Sequence, residues 1–437
     1  MSDTIYALAT APGRAALAVI RLSGPDSRRI LSEMTERPPS SARTLSLRDL
    51  RDSSGRLLDK ALVVWFRGPA SFTGEDVVEL HLHGGAAVVA ATAEALAAQG
   101  CRAAAPGEFT RRAFTNGRLS LAEAEGIADL IDSETAQQSA QALQQLSGAL
   151  DHRFSRWRAG LIEALALLEA AVDFPDEDLP ADLAAGAAAA LQALDADLEA
   201  ALGEARGEFV REGFRVALVG PPNAGKSSLF NTLTGREAAI VTPVAGTTRD
   251  VIEADISLNG YLVRIADTAG LRETDDVVEA EGVRRARAWA KGAGLRLWLT
   301  DETFHVEQAP EVGPADWWIL TKADKGGPGA DLPTGPYIYR LDTRDRDQVN
   351  RVAADLAQHV STQLSGGEFP AITRARHRDV LSEARTCLAR ALAGFGQAPE
   401  LVAEDVRLTA RALERLSGRI DSEAVLDRVF GAFCIGK

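Results

Sequence analysis

The spacing of apolar residues changes along the chain and divides it into segments. In residues 1–117, β-branched and apolar runs at 15–22, 61–66 and 77–83 alternate with a helical stretch at 92–98, which predicts a mixed α/β region. Along the 77–83 run, Val77, Glu79, His81 and His83 share one face, and Val78, Leu80 and Leu82 the other. Residues 118–212 carry apolar positions at helical spacing over 121–131, 136–150, 154–171 and 181–205. Asp173-Phe174-Pro175-Asp176 breaks that pattern, because proline bars an ordinary helix interior. Residues 213–366 return to strand-like runs at 214–219, 261–266 and 317–320. The stretch 295–311 looks short for a strand-and-helix connection and predicts an irregular region. Residues 367–437 are helical again, over 378–392, 400–415 and 422–429. A helical pattern interrupted and then resumed predicts a helical domain with an α/β domain inserted in one of its loops. Such insertions cost little at a surface loop.

The inserted segment carries the clearest chemistry. Gly220-Pro221-Pro222-Asn223-Ala224-Gly225-Lys226-Ser227 reads G-x-x-x-x-G-K-S between a buried strand and a helix. In that setting, backbone N–H groups and the helix N-terminus meet phosphates, Lys226 neutralises β/γ charge, and the Ser227 hydroxyl reaches Mg²⁺, with Ser228 following in the helix. Asp267-Thr268-Ala269-Gly270 ends the next run, where an acid suits a second Mg²⁺ contact and a glycine lets backbone approach the γ-phosphate. Between them lies Gly246-Thr247-Thr248-Arg249-Asp250, a loop whose threonine can ligate Mg²⁺ only while the γ-phosphate is present. Thr321-Lys322-Ala323-Asp324 follows a further strand-like run. A carboxylate at Asp324 accepts both N–H donors of the guanine edge, which adenine lacks, so these motifs in this order predict a GTP-binding domain.

Composition narrows the setting. The 437 residues are 46% hydrophobic and 25% charged, as in a soluble protein of several domains. A net charge of −14 argues against one large basic nucleic-acid surface. Cys101, Cys387 and Cys434 are scattered, without disulfide or zinc spacing, which suits a reducing cytoplasm. No signal peptide or membrane-spanning run is evident. His81 and His83 are either metal ligands or part of a half-exposed strand; the second is favoured because no nearby Cys or further His completes a shell. Arg111 and Arg112, within 106–114, either meet an anion or belong to a solvated loop, and composition favours the loop.

At particular stretches the sequence resembles the MnmE (TrmE) family. These are Ala11-Pro12-Gly13-Arg14, Ser71-Phe72-Thr73-Gly74-Glu75-Asp76, Pro106-Gly107-Glu108-Phe109, Ala122-Glu123-Ala124-Glu125, Asp173-Phe174-Pro175-Asp176, residues 235–242, Gly246 to Asp250, and the terminal Cys434-Ile435-Gly436-Lys437. The resemblance spans nearly the whole chain. It implies a multidomain α/β plus α protein: an N-terminal α+β folate-binding domain, a helical domain, and an inserted Ras-like P-loop GTPase domain. It also implies a homodimer that binds a tetrahydrofolate-type one-carbon derivative through Arg21, Glu79, Arg118 and Lys437, with Arg118 departing from the usual Lys. The family joins a flavin-containing MnmG-type partner in a heterotetramer. Together they add an aminomethyl or carboxymethylaminomethyl group to carbon 5 of the wobble uridine of certain tRNAs, away from any membrane.

The resemblance also implies a GTPase mechanism. Leu271 stands where Ras-like proteins place a water-orienting Gln, and Glu279 takes that role from within an acidic stretch. K⁺ supplies the charge of an arginine finger, held by Asn223, Thr242, Val244 and Thr247, with Arg249 the competing candidate. Ser227 and Thr248 hold Mg²⁺. Thr321 replaces the usual Asn of the base motif, and Asp342-Thr343-Arg344 replaces Ser-Ala-Arg; both point to modest guanine affinity. Cys434 is either a nucleophile toward carbon 6 of uracil or part of an apolar plug with Phe433 and Ile435, and a role in modification is the expectation. Two other functions compete: a regulatory GTP switch on ribosomal RNA, and a folate-dependent transferase whose GTPase is incidental.

Overall fold

The computed structural model describes residues 3–37, 41–173, 182–235, 239–240, 252–267, 288–300, 316–322, 338–366, 369–395, 399–418, 423–433 and 436. They form two compact units. The first comprises Met1–Ala128, Gln145–Leu194 and Glu383–Lys437, and the second Asp129–Gln144 and Asp195–Ser382.

In the first unit, β1 (Ile5–Leu8), β2 (Leu17–Ser23), β3 (Ser46–Arg51), β4 (Leu57–Phe66), β5 (Val77–His83) and β6 (Arg102–Ala103) form one sheet in the order β3-β4-β5-β2-β1-β6. Its pairings are antiparallel apart from β1 with β6. Alternation along the strands separates two faces. Ile20, Leu22, Val78, Leu80 and Leu82 pack with Ile30, Leu31 and Met34 of α1 (Ser27–Met34) and Leu96 of α2 (Ala86–Ala98). The opposite face presents Arg21 of β2 directly across from Glu79 of β5.

The expected solvated loop at 106–114 is instead α3 (Glu108–Thr115). Phe109 and Ala113, one turn apart, are fully buried, while the charges between them are consumed in ion pairs. Arg112 pairs with Asp3, Glu75 and Glu108, and Arg102 with Asp3 and Glu108. Gly107, at φ +67°, permits this start, since a Cβ there would collide with Phe430 O.

The predicted helical stretches are α4 (Leu121–Ile131), α5 (Ala136–Leu146), α6 (Ala149–Asp173), α7 (Asp182–Gly203), α11 (Ala375–Ala393), α12 (Pro399–Glu414) and α13 (Glu423–Gly431), with α8 (Arg206–Glu212) added before the inserted strands. Within the first unit α12 runs against α6, bridged by Arg407 to Glu169 at 3.0 Å. Leu121 and Ala124 of α4 pack on Phe430 and Phe433. Farther along, Gly436 lies against β1, where a Cβ would collide with Leu8 O.

The second unit holds a seven-stranded sheet of β7 (Phe214–Val219), β8 (Ala239–Ile240), β9 (Ile252–Leu258), β10 (Tyr261–Asp267), β11 (Leu295–Thr300), β12 (Trp317–Thr321) and β13 (Ile338–Leu341). The order is β13-β12-β11-β7-β10-β9-β8. The strands from β13 to β10 in that order are parallel, and β9 turns antiparallel. The parallel strands are near-continuous apolar runs because both faces are covered. One face packs Val216, Leu218, Ile265 and Leu297 with Leu229 and Leu233 of α9 (Lys226–Thr234) and Val352 and Leu356 of α10 (Arg346–Leu364). Trp298 and Trp318 stack on the other face at 6.0 Å between ring centroids. From β7 the chain goes to β10 on one side and then to β11 on the other. A crevice therefore opens at the carboxyl ends of these three strands, the topological switch point where open α/β sheets bind ligands.

Candidate functional site

The G-x-x-x-x-G-K-S loop leaves β7 at this switch point. Gly220, at φ +147°, can only be glycine, because a Cβ would collide with Leu299 O of the neighbouring β11. Asn223 is exposed and left-handed at φ +63°, and Gly225 is left-handed at φ +87°. The loop wraps and α9 begins at Lys226 with no side chain capping its first turn, so its N–H groups face the crevice as an anion site. Lys226 Nζ donates to Gly220 O and Pro221 O, at 2.9 Å each. Burial pulls its pKa below the ordinary lysine value, and the nearby Asp267 carboxylate only partly offsets this. A phosphate would supply the negative charge that this ammonium lacks.

Ser227 Oγ donates to Asp267 Oδ2 at 2.6 Å, joining the first turn of α9 to the end of β10. Asp267 is buried, and its Oδ1 has no hydrogen-bond partner among the described residues. A hydroxyl beside a carboxylate with an orphaned oxygen is a donor set that fits a hard divalent cation such as Mg²⁺.

The base-side motifs reach the same loop. Thr321, at the end of β12, is buried, and its hydroxyl lies 2.9 Å from Ala224 O and 3.0 Å from Thr300 O. Thr343 Oγ1 donates to Ser228 Oγ at 3.0 Å, and Thr232 Oγ1 donates to Thr343 O at 2.9 Å. Both threonines also sit beside Gly225, where a Cβ would meet their methyl groups at 3.3–3.5 Å. The departures at 321 and 343 therefore tie the strand ends to the phosphate loop through hydroxyls. Sequence reading missed the parts played by Thr300 and Thr232, since neither belongs to a motif. Asp342 accepts from Arg344 N and Nε, and the Arg344 guanidinium holds its carboxyl below the ordinary value. Lys322 follows Thr321 in a left-handed conformation at φ +59°.

Thr242, Val244, Gly246, Thr247, Thr248, Thr268, Ala269, Gly270, Glu279, Asp324, Cys434 and Lys437 lie outside the described residues.

On the first unit's sheet, Arg21 Nε and Nη2 donate to Glu79 Oε1 at 3.0 and 2.8 Å. The Arg21 guanidinium carbon lies 5.8 Å from the Phe72 ring centre and 5.9 Å from that of Phe109. Both rings lie in stretches that carry the family resemblance, but nothing in the sequence ties either to Arg21, because each reaches it from a distant segment. Arg118 packs against Gly74, in the same loop as Phe72. His81 Nε2 lies 3.4 Å from Glu79 Oε2, and His83 Nδ1 lies 2.8 Å from Asp59 Oδ1. No metal-ligating cluster occurs among the described residues. No described helix is long and apolar enough to cross a membrane.

A family model described as "MnmE helical domain" matches residues 121–434, and one described as "GTP-binding protein TrmE N-terminus" matches residues 4–118. The chain is 57% identical to the tRNA modification GTPase MnmE of Caulobacter vibrioides and 56% identical to that of Phenylobacterium zucineum, each over 100% of both chains. Among solved structures it is similar to a variant of Aquifex aeolicus Era, at 23% identity over 40% of this chain and 66% of that one, with a TM-score of 0.28. The chain belongs to the MnmE (TrmE) family of tRNA modification GTPases.

Proposed function

We propose that this chain hydrolyses GTP with Mg²⁺ and K⁺, and that hydrolysis drives modification of carbon 5 of the wobble uridine in certain tRNAs. The observation that carries the reading is the Ser227–Asp267 pair beside the uncapped start of α9, in a chain whose full-length relatives are named tRNA modification GTPases. In this account Lys226 and the α9 N-terminus bind the phosphates, Ser227 and Thr248 hold Mg²⁺ with Asp267 behind them, and Thr321 and Thr343 fix the loop that presents these groups. Bound Mg²⁺ and K⁺ supply positive charge where the β/γ bridge becomes more negative. Asn223, exposed and left-handed on the loop, serves in this account as a K⁺ ligand, with Thr242, Val244 and Thr247 completing the set. Asp324 selects guanine, and Glu279 orients the attacking water.

The same reading assigns residues 1–117 to a folate-binding and dimerisation domain, 118–212 and 367–437 to a helical domain, and 213–366 to the GTPase domain. Arg21 and Glu79, with the exposed ring of Phe72 beside Arg21, offer a charged pair next to aromatic surface, which fits the ring system of a tetrahydrofolate one-carbon carrier. Arg118 and Lys437 complete that pocket. A flavin-containing MnmG-type partner joins the homodimer in the cytoplasm, and Cys434 serves the modification step, not GTP hydrolysis. Wobble-uridine composition in tRNA from a strain lacking this protein tests the reading. Loss of the carbon-5 group supports it, and an unchanged nucleoside profile rejects it.

A further inference from the structure

The first unit contains a cleft of about 730 Å³, within the size range of small-molecule sites. Phe114 and Phe154 give it apolar walls, and Arg118 and Arg158 its cationic edge. Neither guanidinium makes an ion pair or a side-chain hydrogen bond among the described residues. The two carboxylates of the cleft are each hydrogen-bonded to Ser120, which also lines it. Glu123 accepts from Ser120 N at 2.7 Å, and Asp151 accepts from Ser120 Oγ at 2.6 Å. Both also lie in the first turns of helices, α4 and α6, whose positive ends hold them. The guanidiniums thus stand without a direct partner between aromatic surfaces, while the carboxylates are turned to Ser120, an arrangement that leaves room for the carboxylates of a short flexible anion.

Arg118 reaches from this cleft to the loop that carries Phe72, the ring beside Arg21. Its stem lies against Gly74, where a Cβ would meet Arg118 Cγ at 3.3 Å, and Gly74 follows Phe72 by two residues in the loop beside Arg21. We infer that the cleft takes the γ-linked glutamate tail of a reduced folate, with Arg118 and Arg158 pairing with successive tail carboxylates. The inference rests on the folate reading above. Each added glutamate brings one more carboxylate at the end of a flexible chain, so charge and length both match. A nucleic-acid backbone is the weaker fit, because it gains affinity from many phosphate contacts along an open surface.

The test is calorimetric titration of the full-length protein with 5-formyltetrahydrofolate carrying one or three glutamates, at low and high salt. Wild type binds the triglutamate about fivefold more tightly at low salt, and high salt narrows the gap. Arg158→Ala removes the gap while leaving monoglutamate affinity and melting temperature unchanged, and Arg158→Lys restores part of it. Equal affinity for both ligands in wild type, or a gap that survives Arg158→Ala, overturns the inference while leaving the folate reading intact. Failure of either ligand to bind removes both. Weakened tRNA binding by Arg158→Ala with the gap preserved assigns the cleft to RNA and also overturns it.

Discussion

Ser227 Oγ donates to Asp267 Oδ2 at 2.6 Å, and Asp267 Oδ1 is buried with no hydrogen-bond partner among the described residues. The contact joins the phosphate loop to the end of β10, so any ligand of Ser227 also lies close to the Asp267 carboxylate. Ser227→Ala removes the hydroxyl and leaves the carboxylate with two unsatisfied oxygens. The Mg²⁺ concentration for half-maximal GTP hydrolysis should rise about tenfold or more, as expected for loss of a metal ligand or its close support. An unchanged Mg²⁺ requirement would remove Ser227 from the metal site.

Thr321 makes a separable prediction. Its hydroxyl shares one proton between Ala224 O and Thr300 O, in a buried setting. Thr321→Val keeps the shape and leaves both carbonyls without that donor. Stability should fall by about 1–3 kcal/mol, the cost of orphaning buried polar groups. KM for GTP should rise, since the loop carbonyl is no longer fixed. Chemical denaturation and steady-state kinetics read the two effects, and a variant unchanged in both would make Thr321 a spectator.

The cation and the water-orienting residue are tested together. GTP hydrolysis should be about tenfold or more faster in K⁺ than in Na⁺ at equal ionic strength, as expected for a charge placed at the transition state. Glu279→Ala should lower kcat by about a hundredfold with little change in GTP affinity. Equal rates in the two salts would reject K⁺ as the catalytic cation, and normal hydrolysis by Glu279→Ala would move the role within the acidic stretch.

The ion-pair network around α3 sets an acid limit. Hydrogen bonding to Arg102 holds the Asp3 carboxyl below its ordinary value. Burial pushes the Glu108 carboxyl up, but Arg102, the Ala105 N–H and Arg112 together outweigh it and hold it below its ordinary value. Unfolded, both groups return to ordinary values near pH 4. The folded state therefore binds fewer protons in this window, so the network's stabilisation is present above about pH 5 and is lost as pH falls through the folded values. Thermal unfolding should shift down modestly between about pH 5 and pH 3, since Asp3 is half-exposed and screened. Glu108→Gln should flatten that shift, and a slope unchanged by this substitution would place the acid-labile groups elsewhere.

What could be read from the sequence depended on burial. Phe214–Val219 was legible at both ends because it is an apolar run covered on both faces and bounded by Gly213 and Gly220. By contrast β4 begins at Leu57, before its apolar run, because its first residues pair with the edge strand β3 and stay partly exposed. Strands β1, β6 and β13 are too short for a period to show. Helix α3 was hidden because three of its eight residues are charged, and only the distant partners of Arg112 reveal that these charges face protein. At the site, Gly220, Lys226, Ser227 and Asp267 were legible because phosphate and Mg²⁺ chemistry restricts residue type at fixed spacing. The hydroxyl links of Thr321 and Thr343 were not, since any small polar residue satisfies the motif and only the fold brings β12 and β13 to Ala224 and Ser228.

The claim that GTP is hydrolysed at the carboxyl end of β7 is tested most directly by phosphate release from purified protein with Mg²⁺ and K⁺. The predicted result is turnover of GTP but not ATP by wild type, and a loss of about a hundredfold or more in Lys226→Ala, whose ammonium no longer meets the phosphates. Turnover of GTP at the wild-type rate by Lys226→Ala, or equal turnover of ATP by wild type, would contradict it.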